Sequence, residues 1–536
     1  MKIIDPIISC QEALKVESGI LKQSAYAEYA AMARAGIGTA ETFLREFKNH
    51  LPARPKILGL IGKGHNGGDA LWVIRRLLVE YPDAKITLCL PEKTSLKPNT
   101  FKALGDLSKT ARDNPFDTVS DYSLNDISSK RFDIVVEGLA GMSFVPPARP
   151  SLAMQIEAAN KISARFKISI DLPAGASDKP PQNPIFKADV TYPAGIAKDV
   201  VFKSFNREYC GRIRYVDIGF FDDNGGEEFV REYFASLRDF IVRPDALDFL
   251  NELRPAVSDK RSYGHLFVIA GSRSFPGAAL LNVRAALRAG VGLVSAFVPE
   301  SVAAQFAAVE PSAIWVQCPE DEHGSIALES FGLIREKIKA ATAVMAGSGL
   351  TQNPETRALV ADVLKLRPEI PALLDADAIC KELAEVLAAR AGSALLTPHE
   401  GEILRVAPDA SDAELLAACK KYGCAIALKS SATRISEGGR IARSTRGSPV
   451  LSRAGSGDIF AGICGALLAN PKAKEFFSGA ECMPDGKNSA AFGCAACGSQ
   501  WLGLAAECAY AKLGETSVAT SDIITFLPDA LRAGVI

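Results

Sequence analysis

Short apolar runs that stop at glycine, hydroxyl or charged residues recur along almost the whole of this 536-residue chain, and they restrict its fold more than any other feature. Lys56–Ile61, Phe132–Glu137 and Phe166–Ile170 are such runs in the first half. His265–Ala270, Ala341–Ala346, Pro371–Leu374 and Ala425–Leu428 are their counterparts in the second. Runs of this length between helical stretches read as strands buried on both faces, joined by helical crossovers. Right-handed crossovers make neighbouring strands parallel, so Lys56–Ile61, the helix Ala70–Glu80 and Lys85–Leu90 form one βαβ unit. A parallel sheet binds its ligands outside the carboxyl ends of its strands. Those ends are where the polar residues of this sequence collect.

The rhythm lapses between about 236 and 262, where Arg243-Pro, Arg254-Pro and Ser258-Asp-Lys-Arg261 read as a connection. Two α/β domains follow, 1–237 and 242–536. Ahead of the first strand, 11–49 reads as helices, with Gly36 and Gly38 breaking the pattern before Thr39–Phe47. Basic and acidic residues number 61 and 62, which gives no electrostatic case for nucleic acid or a membrane surface. Asp5 and Glu12 stand where a secretory apolar segment would lie, so the expected compartment is the cytoplasm. Of 12 cysteines, Cys494 and Cys497 alone have paired spacing; their Ala-rich surroundings make them buried thiols, not metal ligands.

In the first half, Gly62-Lys-Gly-His-Asn-Gly-Gly-Asp69 follows a strand, and Glu92 lies about twenty residues on, as the dinucleotide fingerprint asks. An ordinary dehydrogenase turn has no need of Lys63, His65, Asn66 and Asp69 together. Glu137 ends a second strand ahead of Gly138–Pro147, and Asp171-Leu-Pro-Ala-Gly175 follows a third. Each acid alone fits a cap or a solvated turn; three in one register point to a site. In the second half, Arg453-Ala-Gly-Ser-Gly-Asp-Ile459 opens an apolar helix reaching Ala469. Unpaired N–H groups at a helix start, with the helix dipole, cradle an anion. There Asp458 could take the proton of a hydroxyl that attacks phosphate. No P-loop is present, so phosphate handling falls to this cradle with Lys429 and Thr433. Lys429 alone would read as a solvated lysine, and His399 as a loop histidine, without the other strand-end groups beside them.

The first-half motifs resemble the NAD(P)HX epimerase domain, also called the YjeF N-terminal domain, over roughly residues 10–235. The resemblance implies a Rossmann-like three-layer αβα domain that interconverts the two epimers of a hydrated nicotinamide cofactor. It places substrate on His65, Asn66, Gly67, Gly68 and Asp69, on Gly141, Met142, Ser143, Phe144, Val145, Pro146 and Pro147, and on Asp171. It also implies a potassium ion at Asn66, Glu137 and Ala174. The family has Asn, Asp and Ser where this chain has His65, Glu137 and Ala174. Ala174 brings no side-chain oxygen to a cation that needs several, so a weakened ion site is expected.

The second half resembles the ADP- or ATP-dependent NAD(P)HX dehydratases of the ribokinase-like superfamily, also a three-layer αβα fold. Ala270-Gly-Ser-Arg with Pro276-Gly-Ala, Gly347-Ser-Gly-Leu, Leu374-Asp-Ala-Asp-Ala, Leu396-Thr-Pro-His-x-Gly-Glu, Leu428-Lys429 through Thr433 and Gly455-Ser-Gly-Asp occur in the family's order. The resemblance implies that Ala278, Gly349, His399 and Asp458 bind the hydrated dinucleotide. It gives Lys429, Ser430, Ser431, Ala432, Thr433 and Gly457 to ADP or ATP, taken with Mg2+, and Asp458 the catalysis. Ser430 stands for a usual Gly, and Asn470–Lys487 reads as a long loop. Together the halves imply a homo-oligomeric enzyme for repair of hydrated nicotinamide cofactors, with small molecules as its partners. The alternative is a vitamin-precursor kinase of the hydroxyethylthiazole or hydroxymethylpyrimidine type whose first half is a non-catalytic binding module.

Overall fold

The computed structural model describes residues 3–22, 24–112, 114–120, 130–222, 236–478 and 488–533. The chain divides into two compact units, Asp5–Ser236 and Leu237–Ile536 with Met1–Ile4. Among the described residues, no helix is long and apolar enough to cross a membrane.

In the first unit, seven strands run Asp117–Ser120, Lys85–Leu90, Lys56–Ile61, Arg131–Gly138, Ser163–Ile170, Val190–Tyr192, Arg212–Ile213 across the sheet. Every neighbouring pair is parallel, the βαβ unit at Lys56–Leu90 included. After Lys56–Ile61 the chain steps to Lys85–Leu90 on one side and returns to Arg131–Gly138 on the other. This reversal opens a crevice between the ends of Lys56–Ile61 and Arg131–Gly138, the usual place for a ligand. The crossover helix is His65–Glu80, longer at its start than the expected 70–80. His65 through Asp69 therefore form its first turn, with Gly64 as N-cap.

Two elements of this unit differ from expectation. Gly36 and Gly38 do not interrupt a helix: Ala25–Phe47 is continuous. A methyl group on Gly36 would fall 2.3 Å from the Trp72 Cβ and 2.7 Å from the Asp69 carbonyl oxygen. Gly36 is thus a place where two helices touch backbone to side chain, which is the packing use of a mid-helix glycine. A short strand also precedes the first helix. Ile7 and Ile8 pair in parallel with Ala197 and Lys198. The helix Cys10–Leu21 follows at once, held by a Ser9 cap whose Oγ accepts from the Glu12 amide.

The second unit has the parallel order Ile314–Cys318, Leu293–Pro299, His265–Ile269, Ala343–Ala346, Ala372–Leu374, Ala394–Leu396, Ala425–Leu428. The sheet is not parallel throughout. Thr433–Ser436 and Ile441–Ser444 add an antiparallel hairpin, and Asp239–Val242 pairs in parallel with the latter strand. The stretch expected as connection thus contributes a strand ahead of residue 242. Its pattern gave no sign of it, since four residues are too few for periodicity to register. Asn470–Lys487 is not simply a loop: Pro471–Ser478 is helical, and 479–487 lies outside the described residues. Cys494 and Cys497 are buried in the helix Ser489–Leu513 as thiols, the Cys497 Sγ donating to the Ala246 carbonyl at 3.2 Å. Here too the order reverses, around His265–Ile269 and Ala343–Ala346, so the loops after them flank a second crevice.

Candidate functional site

The crevice of the first unit is a cavity of about 440 Å³. His65, Asn66 and Asp69 line it from the first helical turn, Gly141, Met142, Ser143 and Phe144 from the loop after Arg131–Gly138, and Asp171 from the next strand end. Gly67 and Gly68 are buried behind that turn. Val145, Pro146 and Pro147 lie beyond the lining, with Val145 turned to solvent. The Asn66 amide donates to the Ala140 carbonyl at 3.0 Å, which fixes the turn against the loop. Asp171 holds φ = +66°, a conformation that costs a non-glycine residue and that functional sites often retain.

One ammonium organises the charge in this cavity. Lys198, 1% exposed, donates to Asp171 Oδ1 at 2.6 Å and to the Ala194 carbonyl at 3.2 Å. Glu17 Oε1 lies 4.0 Å from the same nitrogen. Burial pushes the Glu17 carboxyl up to about 7, Lys198 pulling it back and Asp171 adding to the rise. Burial, with Asp171 and Glu17 nearby, also holds Asp69 well above the usual carboxylate range. At the mouth, burial and Lys97 lower the His65 pKa, so this ring is neutral at pH 7.

Glu137 and Ala174 sit beneath the lining, both buried. Glu137 Oε1 accepts from the Leu139 amide at 2.7 Å, and Oε2 from Ser169 Oγ at 2.8 Å and the Ala174 amide at 3.2 Å. Burial nonetheless raises its pKa to about 7. A potassium ion held by the side chains of Asn66, Glu137 and Ala174 does not fit this arrangement. Both Glu137 oxygens are taken up by N–H and O–H donors, and Ala174 gives the carboxylate its amide hydrogen while offering no side-chain oxygen.

In the second unit, Gly455 takes φ = +91° and caps the helix Ser456–Ala469. Asp458 stands in the first turn of that helix. Beside it the strand ends Pro398–His399 and Lys429 are joined, the Lys429 amide donating to the Pro398 carbonyl at 2.8 Å. The Lys429 ammonium reaches Asp375 Oδ1 at 3.0 Å and stands 3.8 Å from Glu402 Oε2. A methyl group on Gly457 would come within 3.0 Å of the same nitrogen. Asp375 also accepts from Thr397 Oγ1 at 2.8 Å and from Ser348 Oγ at 2.9 Å. Burial and the Asp375 carboxylate push Asp458 up to about 6, against the pull of Lys429. Burial works against the Lys429 ammonium, but Asp375 and Glu402 keep its pKa above the usual lysine value.

The other residues fall in graded positions. Gly349 lies against Ala278, where a methyl group would meet the Ala278 Cβ at 3.0 Å. His399 Nδ1 accepts from the Gly401 and Glu402 amides, so its ring is a helix cap with one edge left to solvent. Ser430, Ser431 and Ala432 lead away from Lys429, with Ser430 Oγ turned back onto the Ala432 carbonyl, and Thr433 starts the hairpin. Asp375 and Glu402 belong to motifs visible in the sequence, yet had no role until their distances to Lys429 were known. Glu17 and Lys198 gave no motif at all.

The two halves match separate families. The family described as YjeF-related protein N-terminus matches residues 28–199, and that described as NAD(P)H-hydrate dehydratase matches 266–529. The chain is 33% identical over 465 residues to the bifunctional NAD(P)H-hydrate repair enzyme Nnr of Gloeobacter violaceus, covering 82% of this chain and 84% of that one. It is 27% identical to the enzyme of the same name from Moorella thermoacetica, over 96% of each chain. Among solved structures, the ADP/ATP-dependent NAD(P)H-hydrate dehydratase of Bacillus subtilis, co-crystallised with ATP and Mg2+, is 24% identical with a TM-score of 0.43, covering 53% of this chain and 94% of that one. The chain belongs to the family of bifunctional NAD(P)H-hydrate repair enzymes.

Proposed function

We propose that the first unit interconverts the R and S epimers of hydrated NADH or NADPH, and that the second dehydrates the S epimer at the expense of ATP or ADP. The charge of Lys429 acting on Asp458 at the start of the helix Ser456–Ala469 carries this reading. Hydroxide is a poor leaving group, and phosphorylation of the C6 hydroxyl cures that. Asp458 takes the hydroxyl proton as the oxygen attacks the terminal phosphorus of the nucleotide. The phosphoanhydride bond breaks, and charge on the transferring group is met by Lys429 and the helix amides. The C6–O bond then breaks with loss of inorganic phosphate, the ring nitrogen's electron pair enters the ring, and a proton leaves C5. Mg2+ neutralises nucleotide phosphates in such transfers.

Ala278 and Gly349 form a small-residue wall on which the dinucleotide would lie, with His399 at the nucleotide end. In the first unit, Asn66, Gly141–Phe144 and Asp171 would hold the hydrated ring. We extend the reading to a cytoplasmic homo-oligomer that acts on small molecules alone, in keeping with the balance of 61 basic and 62 acidic residues. The kinase with a non-catalytic first half is set aside, because relatives aligned along both halves are bifunctional by name.

The test is to incubate the full chain with separated epimers and ATP or ADP, following NADH by absorbance and the epimers by chromatography. Both epimers should yield NADH, R only after conversion. Phosphorylation of a thiazole or pyrimidine alcohol without NADH recovery would overturn the reading. Since Ala174 gives no oxygen and Glu137 is occupied by its own donors, R-to-S conversion should keep its rate when potassium is replaced by tetramethylammonium. A steep loss in that salt, restored by potassium, would contradict this.

A further inference from the structure

Glu17, Asp69 and Asp171 gather about the Lys198 ammonium in the first-unit cavity, which Glu28 and Lys97 also line. Asp171 commits Oδ1 to Lys198 at 2.6 Å. Asp69, half-buried in the first turn of its helix, also lines the cavity, and its carboxyl is held well above the usual range by burial with Asp171 and Glu17 nearby. Glu17 stands off at 4.0 Å, with its side chain 21% exposed and on the cavity lining. Unlike Asp171 it can exchange a proton with a bound ligand without breaking a short ion pair, and unlike Asp69 it stands within 4.0 Å of the Lys198 ammonium. Its helix is placed by the Ser9 cap and by the pairing of Ile7 and Ile8 beside Lys198, so its position is set by backbone structure. It lies ahead of residue 28, where the match to the epimerase family begins.

We infer that Glu17 is the acid–base group of the first unit: it gives a proton to the hydroxyl leaving the hydrated ring and recovers one from the water that re-adds on the other face. This rests on the epimerase reading and deepens it. C6 of the hydrated ring carries both the hydroxyl and the ring nitrogen. As Glu17 protonates the hydroxyl, the C6–O bond breaks, water departs, and the nitrogen's electron pair forms a C6=N double bond. Water then adds to the opposite face, the double-bond pair returns to nitrogen, and the proton goes back to Glu17. No oxidant or second reactant is consumed. The cation formed between the two halves of this cycle sits beside Asp171 and the newly deprotonated Glu17, whose charge Lys198 offsets in part. Groups facing Glu17 are Lys198, Asp171 and Asp69, all from other elements. Its pKa near 7 makes the acid available at neutral pH.

The experiment uses the full chain and the separated R epimer. Glu17→Gln should slow R-to-S conversion by about a hundredfold or more, while ATP-dependent dehydration of the S epimer stays unchanged. Glu17→Asp should keep more activity than Glu17→Gln. The wild-type rate should fall as pH rises through about 7, and that limb should be missing in Glu17→Gln. Conversion by Glu17→Gln at the wild-type rate overturns the assignment. So does equal slowing in both variants with a lowered melting temperature, which marks a structural role. A wild-type chain that dehydrates the S epimer but never converts R overturns the epimerase reading itself, and the assignment with it.

Discussion

Asp458→Asn should lower the ATP-dependent recovery of NADH from the S epimer by about a hundredfold or more, with nucleotide binding retained. Asparagine keeps the size of the side chain and its place in the first helical turn, so the anion cradle and Lys429 are undisturbed. What is lost is the base. Asp458 titrates near 6 because burial and Asp375 outweigh the pull of Lys429. A base must be unprotonated to act, so wild-type turnover should drop as pH falls through about 6, and the residual turnover of the variant should not. Stability runs the other way. A carboxyl raised in the folded state favours folding at low pH and loses that contribution as pH rises through its folded pKa. The neutral amide has no such dependence, so the variant's melting temperature should gain on the wild type from about pH 4 to about pH 6 and hold that gain above it. A variant that turns over near the wild-type rate would remove Asp458 from the reaction. A variant that melts early at pH 8 would leave the activity loss to unfolding.

How much of this site was legible in the sequence depends on the kind of residue. Strand ends and glycine turns announced themselves, because an apolar run that stops at Asp171 or at the turn before Asp458 breaks a pattern the eye can follow. The helix at Ala25–Phe47 was misjudged, because Gly36 serves a contact with Trp72 and the Asp69 carbonyl some thirty residues away, and propensity sees only its neighbours. The strands at Ile4–Ile8 and Asp239–Val242 were missed, since each is too short for periodicity and is made a strand by its partner. Asp375 and Glu402 stood in recognised motifs, but which acid faces Lys429 is a matter of three-dimensional distance. Glu17 and Lys198 sit in ordinary helical and strand-end sequence. Only the pairing of Ile7–Ile8 with Ala197–Lys198 brings them face to face. The ion site fell the opposite way: Ala174 showed in the sequence that an oxygen was missing, and the structure added that Glu137 is already satisfied.

Lys429→Met should have the widest consequences of any single change, because one ammonium serves a structural pair and the reaction at once. Asp375, 2% exposed in its side chain, would keep Thr397 and Ser348 as donors but lose its counter-charge. Stranding one member of a buried pair costs about 3–5 kcal/mol, and Lys429, 21% exposed, belongs at the lower end of that range. The melting temperature at pH 7 should fall accordingly. Turnover should fall by about a hundredfold or more, since charge developing on the transferring phosphate meets only helix amides. A third effect separates these two. Lys429 is what pulls the Asp458 carboxyl down against burial and Asp375, so its removal should lift Asp458 above 6 and move the acid limb of residual turnover to higher pH. Combining Lys429→Met with Asp458→Asn should cost less than the sum of the two, because both act in one transfer step. Full additivity in turnover, with an acid limb still near pH 6 in Lys429→Met, would mean that Lys429 holds the strand ends together and takes no part in the phosphoryl transfer.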